Sequence, residues 1–245
     1  MTEELMPLAK MRDRLKIEGE ESDTSIFLNL MYLGELLTKL TVAGFVAAVQ
    51  DDRDRQKYRA KYKFVRAVGI GDWSSALLGI VTGPTAALLD HEMSQELRQA
   101  TEKVGASEWQ SRTLNLLAQA AHELAVELPE VQSRVSLQGW FASFAMFRNK
   151  TRGHGAPKAG LCAKACAPLQ ESLDLIISNF SLFSRPWAYL HHCLSGKYRV
   201  THLGGPREPF ETYKRRADHP SLEDGVYIFL SQPRLVELLS FAQVM

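Results

Sequence analysis

The chain has 245 residues, with 29 lysines and arginines against 28 aspartates and glutamates. This length allows one large domain, or one domain with a small appendage. A net charge of +1 excludes a broad polyanion-binding field, so any nucleic-acid binding must come from a local patch. The charged N-terminus is not a signal peptide. The apolar stretch 40–49 is too short to span a bilayer, and 76–89 is broken by Gly83-Pro84. We therefore expect a cytoplasmic protein with no membrane partner.

The first third of the chain predicts a helix behind a charged lead-in at 1–23. Asp23 or Thr24 can cap a helix over 25–50. Apolar residues recur in it at helical spacing, at Ile26, Leu30, Leu33, Leu37 and Leu40.

Residues 51–66 contain many charges of both signs. The pattern favours a solvated helix face with i, i+4 ion pairs. The alternative is a strip that binds phosphates, because the later half is basic and interleaved with Tyr58 and Tyr62.

Further helices are predicted through the middle of the chain. Asp72 is expected to cap a helix beginning at Trp73. The turn at Gly83-Pro84 separates it from helices over 85–104 and 107–128, and Pro129 ends the second. Helices over 132–151 and 159–183 follow, on either side of a break rich in glycine and proline.

The pattern changes near Gly196, where short runs of β-type composition alternate with turns. The runs are Lys197–Leu203, Val226–Leu230 and Leu235–Phe241. We therefore expect a mainly α protein, with a helical domain over 24–190 and a small, mostly antiparallel β appendage over 196–245. The appendage is too small to fold alone, and it is also a candidate for the start of a further domain in a longer protein.

The three cysteines fit a reducing compartment better than a disulfide framework. Cys162 and Cys166, together with His191-His192-Cys193, have the ligand types of a zinc site. However, the first two are flanked by alanines, which favours small packing residues over metal ligands. We expect no metal and no cofactor.

Residues 147–155, Phe-Arg-Asn-Lys-Thr-Arg-Gly-His-Gly, carry the clearest chemical signal. Arg148 continues an apolar helical face formed by Leu137, Trp140, Phe141 and Phe144, so its charge needs a partner. On an unbroken helix, His154 would point about 120° away and lie about 9 Å further along the axis. A break at the glycines would let it fold back. The alternative is helix C-capping by cations in a last turn.

The spacing of Arg148, Asn149 and His154 resembles the arginine, polar residue, short gap and histidine motif of HEPN domains. The likeness covers about 135–185, and the helical region 24–125 is compatible with it. It implies an all-helical domain and a metal-independent endoribonuclease in antiviral defence or a toxin–antitoxin system. It also implies RNA as a partner and a homodimer that brings two motifs together, with an antitoxin or a further effector domain as additional partners.

These roles follow from the resemblance and from the chemistry of the side chains. His154 transfers protons. Arg148 stabilises the pentavalent transition state or orients the phosphate, and Asn149 positions the scissile group or holds the active geometry. Lys150 and Arg152 bind flanking phosphates. Glu35 is a candidate to orient Arg148, or else a surface residue.

The apolar face around Phe144 and Phe147 is the expected dimer seam. The alternative function is a non-catalytic dimerisation or nucleotide-sensing module of a larger defence protein, in which Arg148 and His154 bind phosphate without cleaving it.

Overall fold

A computed structural model describes residues 3–18, 22–50, 55–65, 69–152, 158–214 and 221–236. Within these ranges the protein is mainly helical, with one small antiparallel sheet at its C-terminal end, which confirms the predicted fold class at this coarse level. The α-helices are α1 (Met6–Glu18), α2 (Asp23–Ala48), α3 (Gln56–Val65), α4 (Ile70–Thr82), α5 (Ser94–Thr101), α6 (Trp109–Glu123), α7 (Leu137–Arg152), α8 (Ala159–Asn179) and α9 (Glu208–Glu211).

The charged lead-in predicted at 1–23 contains a packed helix instead. Leu5 and Leu8 are buried in the main core, and Arg12 of α1 makes an ion pair of 2.6 Å with Asp174 of α8. The charges hid this helix from sequence analysis, because its apolar stripe is narrow and begins one residue before the helix itself.

Helix α2 is the long central helix of the protein. Its N-cap is Ser22, whose hydroxyl accepts a hydrogen bond from the Ser25 amide, so neither Asp23 nor Thr24 is the cap. Among the described residues, α2 is the one helix that could cross a membrane by length and composition. However, 78% of its most apolar window is buried inside the protein. That burial is typical of the core helix of a soluble protein.

The middle of the chain is less helical than its sequence predicts. In place of the single helix predicted over 85–104, the structure has two short 3₁₀ turns, Pro84–Leu88 and His91–Met93, followed by α5. Helix α6 ends at Glu123, well before Pro129, and α7 begins at Leu137 rather than at 132. Asp72 caps α4 from inside its first turn, where its carboxylate accepts a hydrogen bond from the Gly69 amide.

The sheet contains β1 (Trp187–His192), β2 (Tyr198–Gly204), β3 (Gly225–Phe229) and β4 (Pro233–Leu235), in the spatial order β2-β1-β3-β4 with all pairs antiparallel. Strand β1 begins inside the range 24–190 that we predicted to be helical, so the expectation that the β region begins at 196 was wrong. The predicted strand at Leu235–Phe241 extends outside the described residues.

Strand β1 was missed because both of its faces are covered. Trp187 and Ile228 belong to the main helical core, whereas Ala188, Leu190 and Tyr227 belong to a second cluster that includes Phe210 of α9. A strand that is apolar on both sides lacks the alternation that identifies a half-exposed strand.

Candidate active site

Helix α7 carries Arg148 out of the core at its last turn. The stripe predicted from the sequence is present, because Leu137, Trp140, Phe141 and Phe144 are all fully buried. Arg148 follows one turn after Phe144 on the same face, and 21% of its side chain is exposed. The guanidinium therefore lies at the edge of the core, where an unpaired charge would be costly.

A glycine on α2 allows the close approach that brings Arg148 to its partner. A Cβ atom built on Gly34 would lie 2.2 Å from the Phe144 ring, so only a residue without a side chain fits here. Two turns closer to the N-terminus of α2, Phe27 contacts Phe147 edge-to-face, with ring centroids 6.2 Å apart. These contacts place Glu35, which follows Gly34, opposite Arg148.

Arg148 Nε donates a hydrogen bond to Glu35 Oε1 at 2.6 Å. The Glu35 side chain is 14% exposed, so both partners of this ion pair are largely shielded from water. The contact fixes the plane of the guanidinium, and Glu35 is therefore not an ordinary surface residue. Its part in catalysis stays a prediction.

The pair leaves much of the guanidinium unengaged. Arg148 Nη1 reaches Asn149 Oδ1 at 3.4 Å, near the limit for a hydrogen bond. Within the described part of the chain, Nη2 makes no hydrogen bond. The outer edge of the guanidinium can therefore bind an anion in addition to Glu35.

Asn149 lies where two helix ends meet. It is exposed, and its Nδ2 atom would be 3.6 Å from a Cβ atom built on Gly71, in the first turn of α4. The last turn of α7, the first turn of α4 and the middle of α2 thus converge on Arg148.

Of Lys150, Arg152 and His154, the structure describes only the side chain of Lys150. Lys150 is exposed, and its ammonium donates to the Glu127 carbonyl at 2.7 Å, which anchors the loop before α7. A phosphate would have to share Lys150 with that carbonyl. His154 and the side chain of Arg152 lie outside the described residues.

Helix capping by hydrogen bonds does not account for the described cations of the motif. Arg148 and Lys150 donate to Glu35 and Glu127, away from the carbonyls of α7. The buried hydroxyl of Thr151 instead donates towards the Phe147 and Arg148 carbonyls at 3.0 Å each. Sequence analysis missed Thr151 and Gly34. A glycine within an apolar helical stripe is the signal that could have revealed the latter.

The dimer seam predicted at Phe144 and Phe147 is wrong. Both rings are fully buried inside the protein, where they pack on α2. An amphipathic pattern shows that a helix face is covered, but it does not distinguish a second copy from the same chain.

The cysteine and histidine residues considered for zinc have other surroundings. Cys162 and Cys166 are buried. Burial, aided by the charges of Cys162 and Asp23, raises the pKa of the Cys166 thiol to about 12, so it is a poor nucleophile and ligand. His191 Nδ1 lies 2.6 Å from Asp224 Oδ2. No cluster of three or more metal-binding side chains occurs in the described ranges.

Comparison of the chain with protein-family models, with curated proteins and with solved structures gives no match. Function must therefore be argued from the chemistry of the site.

Proposed function

We propose that the protein is a metal-independent endoribonuclease of the HEPN type. The observation that carries the proposal is the Arg148–Glu35 pair, which holds a guanidinium in a fixed plane at the edge of the core while leaving its outer edge unengaged. A side chain that only stabilised the fold would be expected to use more of its donors. The motif that contains Arg148 continues into the segment with His154 directly after α7.

In the proposed reaction, the 2′-hydroxyl of one nucleotide attacks the adjacent phosphorus. The bond from phosphorus to the 5′-oxygen of the next nucleotide breaks, which leaves a 2′,3′-cyclic phosphate and a free 5′-hydroxyl. His154 transfers a proton in this step. Arg148 stabilises the charge that accumulates on the phosphoryl oxygens, Asn149 positions the scissile group, and Glu35 orients Arg148. Lys150 and Arg152 bind flanking phosphates.

The proposal includes a homodimer, because the resemblance implies two motifs facing each other across an interface. The surface that forms it is other than Phe144 and Phe147, which are buried. An antitoxin or a further effector domain, and a role in antiviral defence or a toxin system, are also part of the proposal and rest on the resemblance alone.

One observation favours a second candidate, the non-catalytic module. Glu35 offsets the positive charge of Arg148 and weakens its attraction for phosphate. In a module of this kind, Arg148 and His154 would bind a nucleotide or phosphate without cleaving RNA.

The test is incubation of the purified full chain with total RNA and transfer RNA, beside His154→Ala. We expect cleavage to survive chelator, because the chemistry requires no metal. DNA of the same sequence should be spared, because it lacks the attacking hydroxyl. The products should carry a 2′,3′-cyclic phosphate.

His122→Ala is a matched control, because His122 is an exposed histidine on α6 that has no part in the proposed reaction. Its activity should equal that of the wild type. Sensitivity to EDTA together with cleavage of DNA would overturn the mechanism. Full activity of His154→Ala would remove the histidine from it, and nucleotide binding without cleavage would support the module.

A further inference from the structure

Helix α3 concentrates positive charge in a chain that is almost neutral overall. It contains Lys57, Arg59, Lys61 and Lys63 and no acidic residue, whereas the whole chain has a net charge of +1. No acidic residue stands three or four positions from Arg59 in the sequence, so an ion pair along one face of α3 does not explain its charge.

Two tyrosines on α3 expose their rings beside these cations. Tyr58 and Tyr62 are 63% and 45% exposed, and they lie one helical turn apart. Their rings are stacked, with centroids 6.3 Å apart and planes inclined by 20°. Ala60, between them in sequence, is buried and packs α3 on the core. The rings are therefore directed away from the core and are accessible to a ligand.

The C-terminal end of α3 leads towards the candidate active site. Val65 ends α3, and Gly69 is the N-cap of α4, so four residue steps of chain separate them by at most about 14 Å. Tyr62 lies three residues before Val65, a further rise of about 4.5 Å along the helix. The first turn of α4 then lies beside Asn149, whose Nδ2 atom would be 3.6 Å from a Cβ atom built on Gly71. Tyr58 and Tyr62 are therefore within a few nucleotides' reach of Arg148.

We propose that α3 is a binding platform for single-stranded RNA, on which bases stack against Tyr58 and Tyr62 while Arg59 and the neighbouring lysines bind phosphates. Exposed aromatic rings interleaved with cations are the arrangement that binds unpaired strands with little sequence preference. A duplex does not offer its base faces for stacking, so it is the poorer ligand. The choice of RNA rests on the proposed function. The stacking itself depends only on unpaired bases.

The inference can be tested by fluorescence anisotropy of a labelled 12-nucleotide single-stranded RNA. All proteins carry His154→Ala, so that cleavage does not consume the probe. In Tyr58→Ala/Tyr62→Ala, we expect the Kd to rise at least tenfold, because each stacked base contributes substantially to affinity. The matched control Tyr58→Phe/Tyr62→Phe keeps both rings and should bind within about twofold of the parent.

A second pair of matched variants tests the contribution of the positive charges on α3. Arg59→Gln should weaken binding and lower the slope of log Kd against log salt by about one phosphate contact. Arg199→Gln, which removes an exposed arginine from β2, should change neither. Single-stranded DNA should bind comparably to RNA, whereas duplex RNA should compete at least tenfold less well.

Three results would overturn the platform: equal Kd for Tyr58→Ala/Tyr62→Ala and the parent, equal competition by duplex RNA, or no binding to any single strand. Circular dichroism of each variant checks that α3 and the fold remain intact.

Failure of the proposed function would give different results from failure of the platform. Single-strand binding that depends on the tyrosines, in a wild-type chain that cleaves no RNA, supports the platform and rejects the nuclease. Normal RNA cleavage with an unchanged KM in Tyr58→Ala/Tyr62→Ala supports the nuclease and rejects the platform.

Discussion

Arg148 and Arg185 have the same exposed fraction of side chain, 21%, but their guanidinium groups are used differently. Arg185, just before β1, donates from Nε and Nη2 to the two carboxylate oxygens of Glu96 at 2.8 and 3.0 Å, and Nη2 also donates to the Glu92 carbonyl. Glu96 is fully buried. The hydrogen bond to the Glu96 carboxylate, together with the charges of Glu96, Glu92 and Asp90, raises the pKa of Arg185. Arg148 makes one strong hydrogen bond, through Nε.

The difference shows that burial alone does not distinguish a structural arginine from a candidate functional one. Arg185 joins the sheet to α5 with a bidentate pair whose carboxylate has no contact with water. At Arg148, Glu35 binds one edge of the guanidinium group and leaves the other edge available to a ligand. The number of guanidinium N–H groups that already donate hydrogen bonds within the protein therefore distinguishes a structural arginine from a candidate functional one better than exposure does.

The largest effect we expect is the loss of stability in Arg185→Ala. The change leaves the fully buried carboxylate of Glu96 without its counter-charge, so the free energy of unfolding should fall by about 3–5 kcal/mol. Arg148→Ala should cost less, because the Glu35 carboxylate that it leaves behind is 14% exposed and can be partly hydrated. Urea denaturation of both variants measures this. Equal losses in the free energy of unfolding would show that the two ion pairs contribute equally to stability.

Activity should rank the two arginines in the opposite order. Arg148→Ala should lower the rate of RNA cleavage by about a hundredfold, the scale of losing an electrostatic contact to the transition state. Arg148→Lys should recover little of it, because an ammonium cannot reproduce the planar fork. Arg185→Ala, assayed at a temperature at which it remains folded, should retain most of its activity. Retained activity in Arg148→Ala would remove that residue from the mechanism.

The approach of α2 to α7 provides a smaller perturbation. Gly34→Ala would place a Cβ atom against the Phe144 ring, and such overpacking typically costs about 1–3 kcal/mol. Cleavage should fall as well, because α7 must move relative to Glu35. The matched control is Gly160→Ala on α8, where an added Cβ meets no atom within 4 Å. That variant should be as stable as the wild type or slightly more so. Equal effects would show that Gly34 does not set the helix spacing.

The smallest effect is confined to acidic pH and concerns a second ion pair at the sheet, between Asp90 and Arg234 of β4 at 2.8 Å. Burial raises the pKa of Asp90, but hydrogen bonds from Arg234 and the Glu92 amide outweigh it and hold the pKa below its ordinary value of 3.8. The stabilisation is therefore complete above that value and is lost as the pH falls through the lower, folded pKa.

Asp90→Asn should remove this part of the acid dependence. Urea midpoints measured from pH 5 downward should fall less steeply in the variant than in the wild type. Identical slopes would show that Asp90 does not contribute to acid lability.

Much of the candidate site could be predicted from the sequence, because it depends on local periodicity. The apolar stripe from Leu137 to Phe144 predicted the buried face of α7 and placed Arg148 at the end of that face. Because an unpaired charge there is costly, the sequence also predicted that Arg148 has a partner. The mainly helical fold with a C-terminal sheet followed from the change of period near the C-terminus.

Tertiary structure decided which elements meet, and local patterns do not contain that information. An apolar stripe requires a cover but does not name it, so Phe144 and Phe147 pack on α2 rather than on a second copy. Strand β1 lost its alternation because helices cover one face and α9 the other. The Glu35–Arg148 pair spans 113 positions of sequence. The neighbouring Gly34 leaves room on α2 for the Phe144 ring of α7, in the space that a Cβ atom would occupy.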